Sequence, residues 1–124
     1  MNSEDVGVQK TRSAIEDRAL YLALLYRSFA TALPAGEAER LAREAIYEYG
    51  RIKGERDGRR ITAEEWVRGH VAKGSAAVFE SRIVEGEDCC EQQMTYCPLI
   101  EAWRKLGCSQ DEIDLLCDLS LIHI

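Results

Sequence analysis

Many of the residue patterns that identify enzymes and binding proteins are missing from this sequence. It contains no Gly-x-x-x-x-Gly-Lys phosphate loop, no Gly-x-Ser-x-Gly elbow and no His-Glu-x-x-His helix, so the chemistries carried by those motifs have no support. It has only two histidines, His70 and His123, which are far apart in the chain, and it has no Cys-x-x-Cys pair. We therefore predict neither a metal site nor a cofactor.

Basic residues are also in the minority. The chain has 16 Lys and Arg against 22 Asp and Glu, a formal net charge of −6, and such a chain repels phosphate backbones, which argues against nucleic acid as a partner. The longest uncharged stretch of the apolar N-terminal region, residues 19–26, is far shorter than the roughly 20 residues of a membrane span. Glu4 and Asp5 stand where a secretory signal carries basic residues. We expect a cytoplasmic protein without a membrane partner.

The size and cysteine content indicate one reduced globular domain. A chain of 124 residues with 46% apolar residues has enough sequence for one core without disulfides. The five cysteines, an odd number, all lie in the last third of the chain: Cys89, Cys90, Cys97, Cys108 and Cys117. Because no export signal accompanies them, we expect free thiols.

Apolar residues at three- and four-residue steps predict two amphipathic helices, over residues 11–33 and 36–53, which pack as an antiparallel hairpin. The stripe of the first comprises Ile15, Ala19, Leu22, Tyr26, Ala30 and Leu33, and that of the second Ala38, Leu41, Ala42, Ala45, Tyr49 and Ile52. Pro34 ends the first helix. Leu20, Leu24 and Leu25 widen its stripe, which indicates either deep burial or a second subunit. A homodimer through the first helix is therefore one predicted partner.

The rest of the chain predicts short helices around a β-hairpin. A capping box at residues 62–65 opens a third helix that runs to about residue 73. Strands over residues 78–84 and 90–96 pair across residues 85–88. Pro98 begins a helix that Gly107 closes, and a second capping box, residues 109–112, begins the last helix. The predicted fold class is α+β: an N-terminal helical hairpin and short helices packed on a small antiparallel β-hairpin, as a single domain.

Cys97 is the first candidate for catalysis. It directly precedes Pro98 at a predicted helix start, where unpaired amides and the helix dipole favour an anion, so a thiolate there can act as a nucleophile. The alternative is a small apolar side chain packed between the hairpin and the helix, the more frequent role of a free cysteine.

Cys117 and its neighbour Asp118 form the second candidate. Cys117 can face a pocket, but its spacing from Ile113 also fits an ordinary core position. Cys89 and Cys90 are expected to point to opposite faces of a strand, so at most one of them lines the cavity of Tyr96. Cys108, beside a turn, is interpreted as an incidental surface thiol.

A basic segment offers candidates for substrate binding. Residues 51–60 hold five Lys and Arg against two acidic residues, and the guanidinium of Arg51 or Arg56 can bind the carboxylate of a small acid with two parallel hydrogen bonds. A solvated loop at a helix end is the more frequent explanation. Tyr96, next to Cys97, is the third predicted substrate-binding residue.

The remaining chemically versatile side chains are interpreted as structural. His70 on the third helix can act as a general base, but a lone histidine is more often structural. Trp66 and Trp103 are expected to be packing anchors.

The order of several short motifs carries a resemblance to a known family. The motifs are Tyr49-Gly50-Arg51 with Gly54, then the hairpin, then Cys97-Pro98, Glu101-Ala102-Trp103 and Leu106-Gly107, and finally Leu116-Cys117-Asp118. In this order they resemble the 2-aminothiazoline-4-carboxylate hydrolase-like family, from the first helix to about Asp118. The resemblance implies a bacterial cytosolic protein related to enzymes that open the thiazoline ring to a carbamoyl-cysteine. The matching residues are Cys97, Pro98, Cys117 and Asp118, with Gly50 and Arg51 as weaker matches.

The chain departs from this family at its end. Members continue past the Leu-Cys-Asp helix into a further sheet segment, whereas here residues 119–124 are mostly apolar. We expect the domain to be incomplete at its C-terminus, residues 119–124 to be non-native and the hairpin to keep an unpaired edge. His123 would then carry no functional meaning.

The resemblance gives one mechanistic hypothesis and two rivals. A small amidine-containing heterocycle binds with its carboxylate on an arginine, and either Cys97 attacks the carbon between nitrogen and sulfur or Asp118 activates water. The first rival is a non-enzymatic small-molecule-binding or thiol-based sensor domain that uses the same cavity. The second is an inactive fragment whose first helix mediates dimerisation.

Overall fold

The computed structural model describes residues 3–58 and 60–122, and it confirms the α+β class. In chain order the elements are α1 (Ser3–Ala32), α2 (Glu37–Asp57), α3 (Ala63–His70), a π-helical turn (Val71–Ser75), α4 (Ala76–Val78), β1 (Ser81–Glu85), β2 (Cys90–Met94), α5 (Pro98–Leu106) and α6 (Gln110–Leu121). The structure is therefore mostly helical, with one small two-stranded antiparallel sheet. No helix of the described residues is both long and apolar enough to cross a bilayer.

The residues gather into two compact units. The hairpin unit comprises the described residues up to Glu16 and Arg60–Pro98, and the helical unit comprises the described residues of 17–59 and 99–124. Three residues that the sequence analysis mentioned lie outside the described residues. They are Arg59 of the basic segment 51–60, and His123 and Ile124 at the end of the segment 119–124.

In the helical unit α1 and α2 run antiparallel, as predicted, but α2 packs more closely against α6 than against α1. One small pocket is lined by Arg18 and Leu22 of α1 and by Ile46 and Tyr49 of α2. Further along α1, Tyr26 interacts electrostatically with Arg43 and Glu39 of α2. Residues later in α1 therefore lie beside residues earlier in α2, so the two helices are antiparallel. α1 ends before Pro34, as predicted, but begins eight residues before residue 11.

The predicted stripe of α2 is correct at Ala38 and Ala42 and wrong at its other four residues. Leu41, Ala45, Tyr49 and Ile52 are exposed, whereas Ala38 is buried and Ala42 and Ile46 are half-buried. The face that packs inward therefore follows steps of four from Ala38. Small alanines on that face allow close approach, and the larger residues of the predicted stripe keep part of their surface in solvent.

The core of the helical unit surrounds Trp103. This side chain is fully buried, and its Nε1 donates to the carbonyl of Ala19 over 2.9 Å. The buried cluster comprises Ala19, Ala23, Ala102, Trp103, Ile113 and Leu116. Trp103 is thus the packing anchor predicted from the sequence.

The predicted capping box is complete at the start of α6, and its hydroxyl half is present at the start of α3. The Thr62 side chain accepts from the Glu65 amide over 3.1 Å. At α6 both halves of the capping box are present between Ser109 and Glu112. These side chains satisfy amides that have no partner inside the helix.

The hairpin unit holds the β-sheet, whose strands are shorter than predicted. Residues 78–80 complete α4 and a turn instead of starting the strand, and β2 ends at Met94 rather than Tyr96. Ser81 pairs with Met94 and Glu85 with Cys90. The third helix also ends early, because the chain passes through the π-helical turn and kinks at Gly74, whose φ is 93°.

Candidate functional site

The hairpin unit holds Tyr96 and Cys97 just before α5. The carbonyl of Phe79 accepts from the Thr95 and Tyr96 amides over 3.2 and 3.1 Å, which fixes this segment against the turn before β1. The guanidinium of Arg12 lies 4.3 Å from the centroid of the Tyr96 ring. Cys97 is a free, half-buried thiol, so the structure places it directly before the helix start, as predicted.

Arg12 anchors that segment from α1. Its Nε donates to the Val78 carbonyl over 3.0 Å and its Nη2 to the Ala77 carbonyl over 3.2 Å, with Glu80 at 3.6 Å. The guanidinium therefore spans from the end of α4 to the face of the Tyr96 ring. One face of the aromatic ring predicted to bind substrate is thus covered by this cation.

The helical unit holds Cys117 and Asp118 on α6. Cys117 is half-buried and packs against the Trp103 cluster. Asp118 is exposed, and its Oδ2 accepts from Nη2 of Arg43 over 2.8 Å. The pKa of Arg43 is raised because its guanidinium donates to Asp118 and to Glu39. The two adjacent residues therefore point into different surroundings, one apolar and one ionic.

Arg51 and Arg56 lie on the exposed face at the end of α2. Arg51 donates to Glu48 over 2.5 Å and to Glu55, and its pKa is raised chiefly by the hydrogen bond with Glu48. Arg56 lies in the last turn, where a cation complements the helix dipole. Asp118 pairs with Arg43, an arginine that sequence analysis did not single out, rather than with either predicted one.

The helical unit also contains a cavity of about 360 Å³ between α1 and α6. Its lining residues are Ala23, Tyr26, Arg27, Ala30, Thr31, Glu112, Leu115 and Leu116. None of the predicted site residues is among them. The walls are mainly apolar, with a small number of polar groups, as is typical of small-molecule sites.

An ion pair forms the polar part of this cavity. Nε of Arg27 donates to Oε2 of Glu112 over 2.9 Å, and Nη2 donates to Oε1 over 3.4 Å. The Arg27 hydrogen bond is the main reason that the pKa of Glu112 is lowered, and the Ser109 amide contributes to the same shift. Two residues 85 positions apart in sequence are thus held in one bidentate pair.

Cys108 lies beside this pair and is not the incidental surface thiol expected. It is half-buried against the Trp103 cluster, and its Sγ accepts from Nη2 of Arg27 over 3.4 Å. Its pKa is raised because burial disfavours the thiolate more than Arg27 favours it. The thiol form is therefore the stable one here.

A second cavity, of about 300 Å³, lies in the hairpin unit where α3 begins beside the β-turn. Both Cys89 and Cys90 line it. The expectation that both lie on a strand is wrong for Cys89, because β2 begins at Cys90. Glu64, Glu85, Glu87 and Asp88 make the rest of the lining strongly acidic. Among the described residues, no three His, Cys, Asp or Glu side chains are arranged to hold a metal ion.

The contacts of His70 agree with the structural role expected for a lone histidine. Its ring stacks on Trp66 with centroids 5.1 Å apart, and Nδ1 lies 2.8 Å from Oε1 of Gln92. Nε2 of Gln92 then donates to the hydroxyls of Ser75 and Ser81 over 3.1 and 2.8 Å. The amide of Gln92 thereby ties α3 and the π-helical turn to β1.

Sequence analysis missed Arg27 and Glu112. Arg27 follows Tyr26 of the apolar stripe, where a charged residue marks the edge of the helix face, and Glu112 was interpreted only as a capping residue. Neither signal reveals that α1 and α6 bring the two side chains together, because that contact depends on the tertiary fold.

Comparison with known proteins shows the family of the chain. The family model described as L-2-amino-thiazoline-4-carboxylic acid hydrolase matches residues 12–121 of the chain. A search among curated proteins found no match, and neither did a search among solved structures. Because the family model spans both units and nearly all of the sequence, this chain belongs to the L-2-amino-thiazoline-4-carboxylic acid hydrolase family.

Proposed function

We propose that the protein is a hydrolase that opens the ring of 2-aminothiazoline-4-carboxylate to give N-carbamoyl-cysteine. The observation that supports this is the family match over residues 12–121. In the reaction, water adds to the ring carbon that lies between nitrogen and sulfur, and the bond from that carbon to the ring sulfur breaks. The sulfur leaves as a thiolate and takes up a proton, while the carbon becomes the carbonyl of a urea group.

One route uses Cys97 as the nucleophile. Its sulfur attacks the ring carbon, the ring carbon–sulfur bond breaks, and an isothiourea joined to Cys97 remains. Water then displaces Cys97, which regains its proton, and N-carbamoyl-cysteine is released. The position of Cys97 directly before α5 supports this route, because amides at a helix start stabilise negative charge.

A second route uses Asp118 as the base that activates the attacking water, with Cys117 as the neighbouring thiol. The exposure of the Asp118 carboxylate supports access of water to it. For the first route we propose that Tyr96, in the same unit as Cys97, contributes to substrate binding. For the second route we propose that Arg51 and Arg56, in the same unit as Asp118, bind the substrate carboxylate.

The test is incubation of the full chain with 2-aminothiazoline-4-carboxylate, with detection of N-carbamoyl-cysteine by mass spectrometry and of new thiol by titration. We expect product from the unmodified chain and a fall of about a hundredfold or more in kcat for Cys97→Ser if that sulfur is the nucleophile. Cys89→Ser is the matched control, because Cys89 is an exposed cysteine of the turn, and this variant should retain kcat.

Three outcomes decide between the proposals. Absence of product from the unmodified chain, with ligand binding retained, would reject the hydrolase in favour of a binding or sensor domain. Full turnover by Cys97→Ser would reject the nucleophilic route. Full turnover by Asp118→Asn would reject the second route.

We also propose that the protein acts in cysteine metabolism in a bacterial cytoplasm, on a small molecule rather than a nucleic acid, and that it pairs as a homodimer through α1. Exposed apolar side chains on α1 support the dimer, among them Tyr21, Leu24, Leu25 and Phe29. Sedimentation equilibrium should give the mass of a dimer, and Leu25→Glu should give that of a monomer. A monomer before substitution would reject this part of the proposal.

A further inference from the structure

We propose that the cavity between α1 and α6 binds a small zwitterion, with the ligand carboxylate against Nη1 of Arg27 and the ligand cation against Glu112. This inference rests on the proposed function, since it names the site and the charge pattern of the molecule that the hydrolase would bind. It assigns the substrate carboxylate to Arg27 instead of Arg51 or Arg56, in a cavity whose lining contains none of the predicted site residues.

The guanidinium of Arg27 has N–H groups that do not donate to Glu112 or Cys108. Nε and Nη2 are directed to Glu112, and Nη2 also donates to Cys108. Within the described part of the chain, Nη1 of Arg27 has no hydrogen-bond acceptor. The ion pair therefore fixes the guanidinium plane and leaves one nitrogen, with two N–H groups, for a ligand. A carboxylate is the acceptor that matches this donor edge.

The charge of the pair selects a zwitterion over a simple ion. A ligand with only a carboxylate would meet Glu112 as well as Arg27, and a ligand with only a cation would meet Arg27 as well as Glu112. A molecule that carries both charges can match each with its opposite. The lowered pKa of Glu112 keeps that carboxylate ionised near neutral pH.

The walls of the cavity match a small ring. A volume of about 360 Å³ is near the lower limit of small-molecule sites. Ala23, Ala30 and Leu116 provide apolar contact, and Tyr26 contributes a hydroxyl. The pKa of Tyr26 is raised, mainly by burial, so this hydroxyl keeps its proton and can donate.

These features describe a class of ligand. A five-membered heterocycle with a carboxylate and a protonated amidine has two charges of opposite sign and an apolar ring edge between them. 2-Aminothiazoline-4-carboxylate has this pattern. The apolar ring would lie against the alanine and leucine side chains, with its two charged groups toward the ion pair.

The test is a calorimetric titration of the full chain with 2-aminothiazoline-4-carboxylate, accompanied by amide NMR spectra to locate the shifts. Two comparison probes carry one charge each: 2-aminothiazoline, which lacks the carboxylate, and acetate. We expect saturable binding of the zwitterion, with the largest shifts at residues that line the cavity. Each comparison probe should bind at least about tenfold more weakly than the zwitterion.

Three variants sharpen the test. Arg27→Gln should weaken binding by about tenfold or more, since it removes a charge-assisted contact. Arg40→Gln is the matched control, because Arg40 pairs with Glu37 and Glu44 on the exposed face of α2, and it should bind as the unmodified chain does. Ala30→Trp places a large side chain in the cavity from an exposed position and should abolish binding. Because this variant leaves the Arg27–Glu112 pair in place, it tests the cavity even if Arg27→Gln affects folding.

Binding and turnover are read separately, so the two proposals can fail separately. Saturable, Arg27-dependent binding without N-carbamoyl-cysteine would support this inference and reject the hydrolase. Product formation with an unchanged KM in both Arg27→Gln and Ala30→Trp would reject the inference and leave the hydrolase. Absence of saturable binding by the unmodified chain, or equal binding by all three probes, would also overturn the inference.

Discussion

The helical unit and the hairpin unit are stabilised by different means. The helical unit is organised around a fully buried Trp103 and a set of apolar neighbours. In the hairpin unit, the buried apolar side chains among the described residues are Val67, Val78 and Pro98, and a polar network around Gln92 connects its elements. Apolar burial tolerates small shifts, whereas a hydrogen-bond network depends on geometry, so we expect the two units to respond differently to substitution.

The strongest test of this difference is Trp103→Ala. The substitution removes the largest buried side chain and the hydrogen bond to the Ala19 carbonyl, and we expect a loss of about 3–5 kcal/mol in the free energy of unfolding. Chemical denaturation followed by circular dichroism measures this loss. Trp66→Ala is the matched control, since Trp66 is half-buried, and it should cost less than half as much. Equal losses would contradict the assignment of the main apolar core to the helical unit.

In the hairpin unit the sensitive residue is Gln92. Gln92→Leu removes the hydrogen bonds to His70 and Ser81 and leaves the buried hydroxyl of Ser75 without its partner, so we expect a loss of about 1–3 kcal/mol. Hydrogen exchange should show faster opening of the β1 and β2 amides, with smaller changes around Trp103. Gln93→Leu is the control, because its bonds to Arg82 and Glu91 are exposed. An equal effect of the two leucine variants would remove the special role of the network.

Replacement of a glycine by alanine should change the stability in opposite directions in the two units. Gly107 ends α5 with φ 87°, and the Gly107 and Cys108 amides bond back to the Arg104 and Trp103 carbonyls, a Schellman motif. Gly107→Ala forces a Cβ into the left-handed region, and we expect a loss of about 1–2 kcal/mol. Gly69 in α3 has open space around an added Cβ, so Gly69→Ala should stabilise by about 0.5–1 kcal/mol. Thermal denaturation measures both, and a shift of the same sign would contradict the prediction.

Local signals explain which elements the sequence predicted well. α5 was predicted with its observed bounds, because Pro98 and Gly107 mark its two ends. The Ser109 capping box was predicted because cap and partner lie three residues apart. Where such signals are weak the predictions were wrong: the first turns of α1 carry no apolar period, and the inward face of α2 depends on what packs against it.

The candidate cavity could not be predicted in the same way. The Arg27–Glu112 contact joins the last part of α1 to the start of α6, so it depends on the packing of Trp103 between distant segments rather than on any local pattern. The roles of Cys97, Cys117, Asp118, Arg51, Arg56 and Tyr96 stay predictions, as does the organisation of the chain as one domain. Family membership was predictable because the motif order is a property of the sequence itself.

The smallest effect we predict concerns charge in the helical unit. The pKa of Glu112 is lowered below its ordinary 4.5, first by the Arg27 hydrogen bond and then by the Ser109 amide. A carboxyl with a lowered folded pKa stabilises the protein above its unfolded pKa, and this contribution disappears as the pH falls through the folded pKa. The stability difference between the unmodified chain and Glu112→Gln should therefore be constant near neutral pH and decrease as the pH falls below 4.5. Both side chains of the pair are about 40% exposed, so solvent screening keeps the difference small.

NMR titration of the Glu112 side-chain carbon measures this pKa directly. We expect a midpoint below 4.5 in the unmodified chain and a higher midpoint in Arg27→Gln. The midpoint in that variant should still lie below the ordinary value, because the Ser109 amide continues to donate to the carboxylate. An unchanged midpoint in Arg27→Gln would mean that the cap at the start of α6, and not the ion pair, holds the Glu112 charge. The polar edge of the cavity would then depend on the local fold of one helix rather than on the contact between α1 and α6.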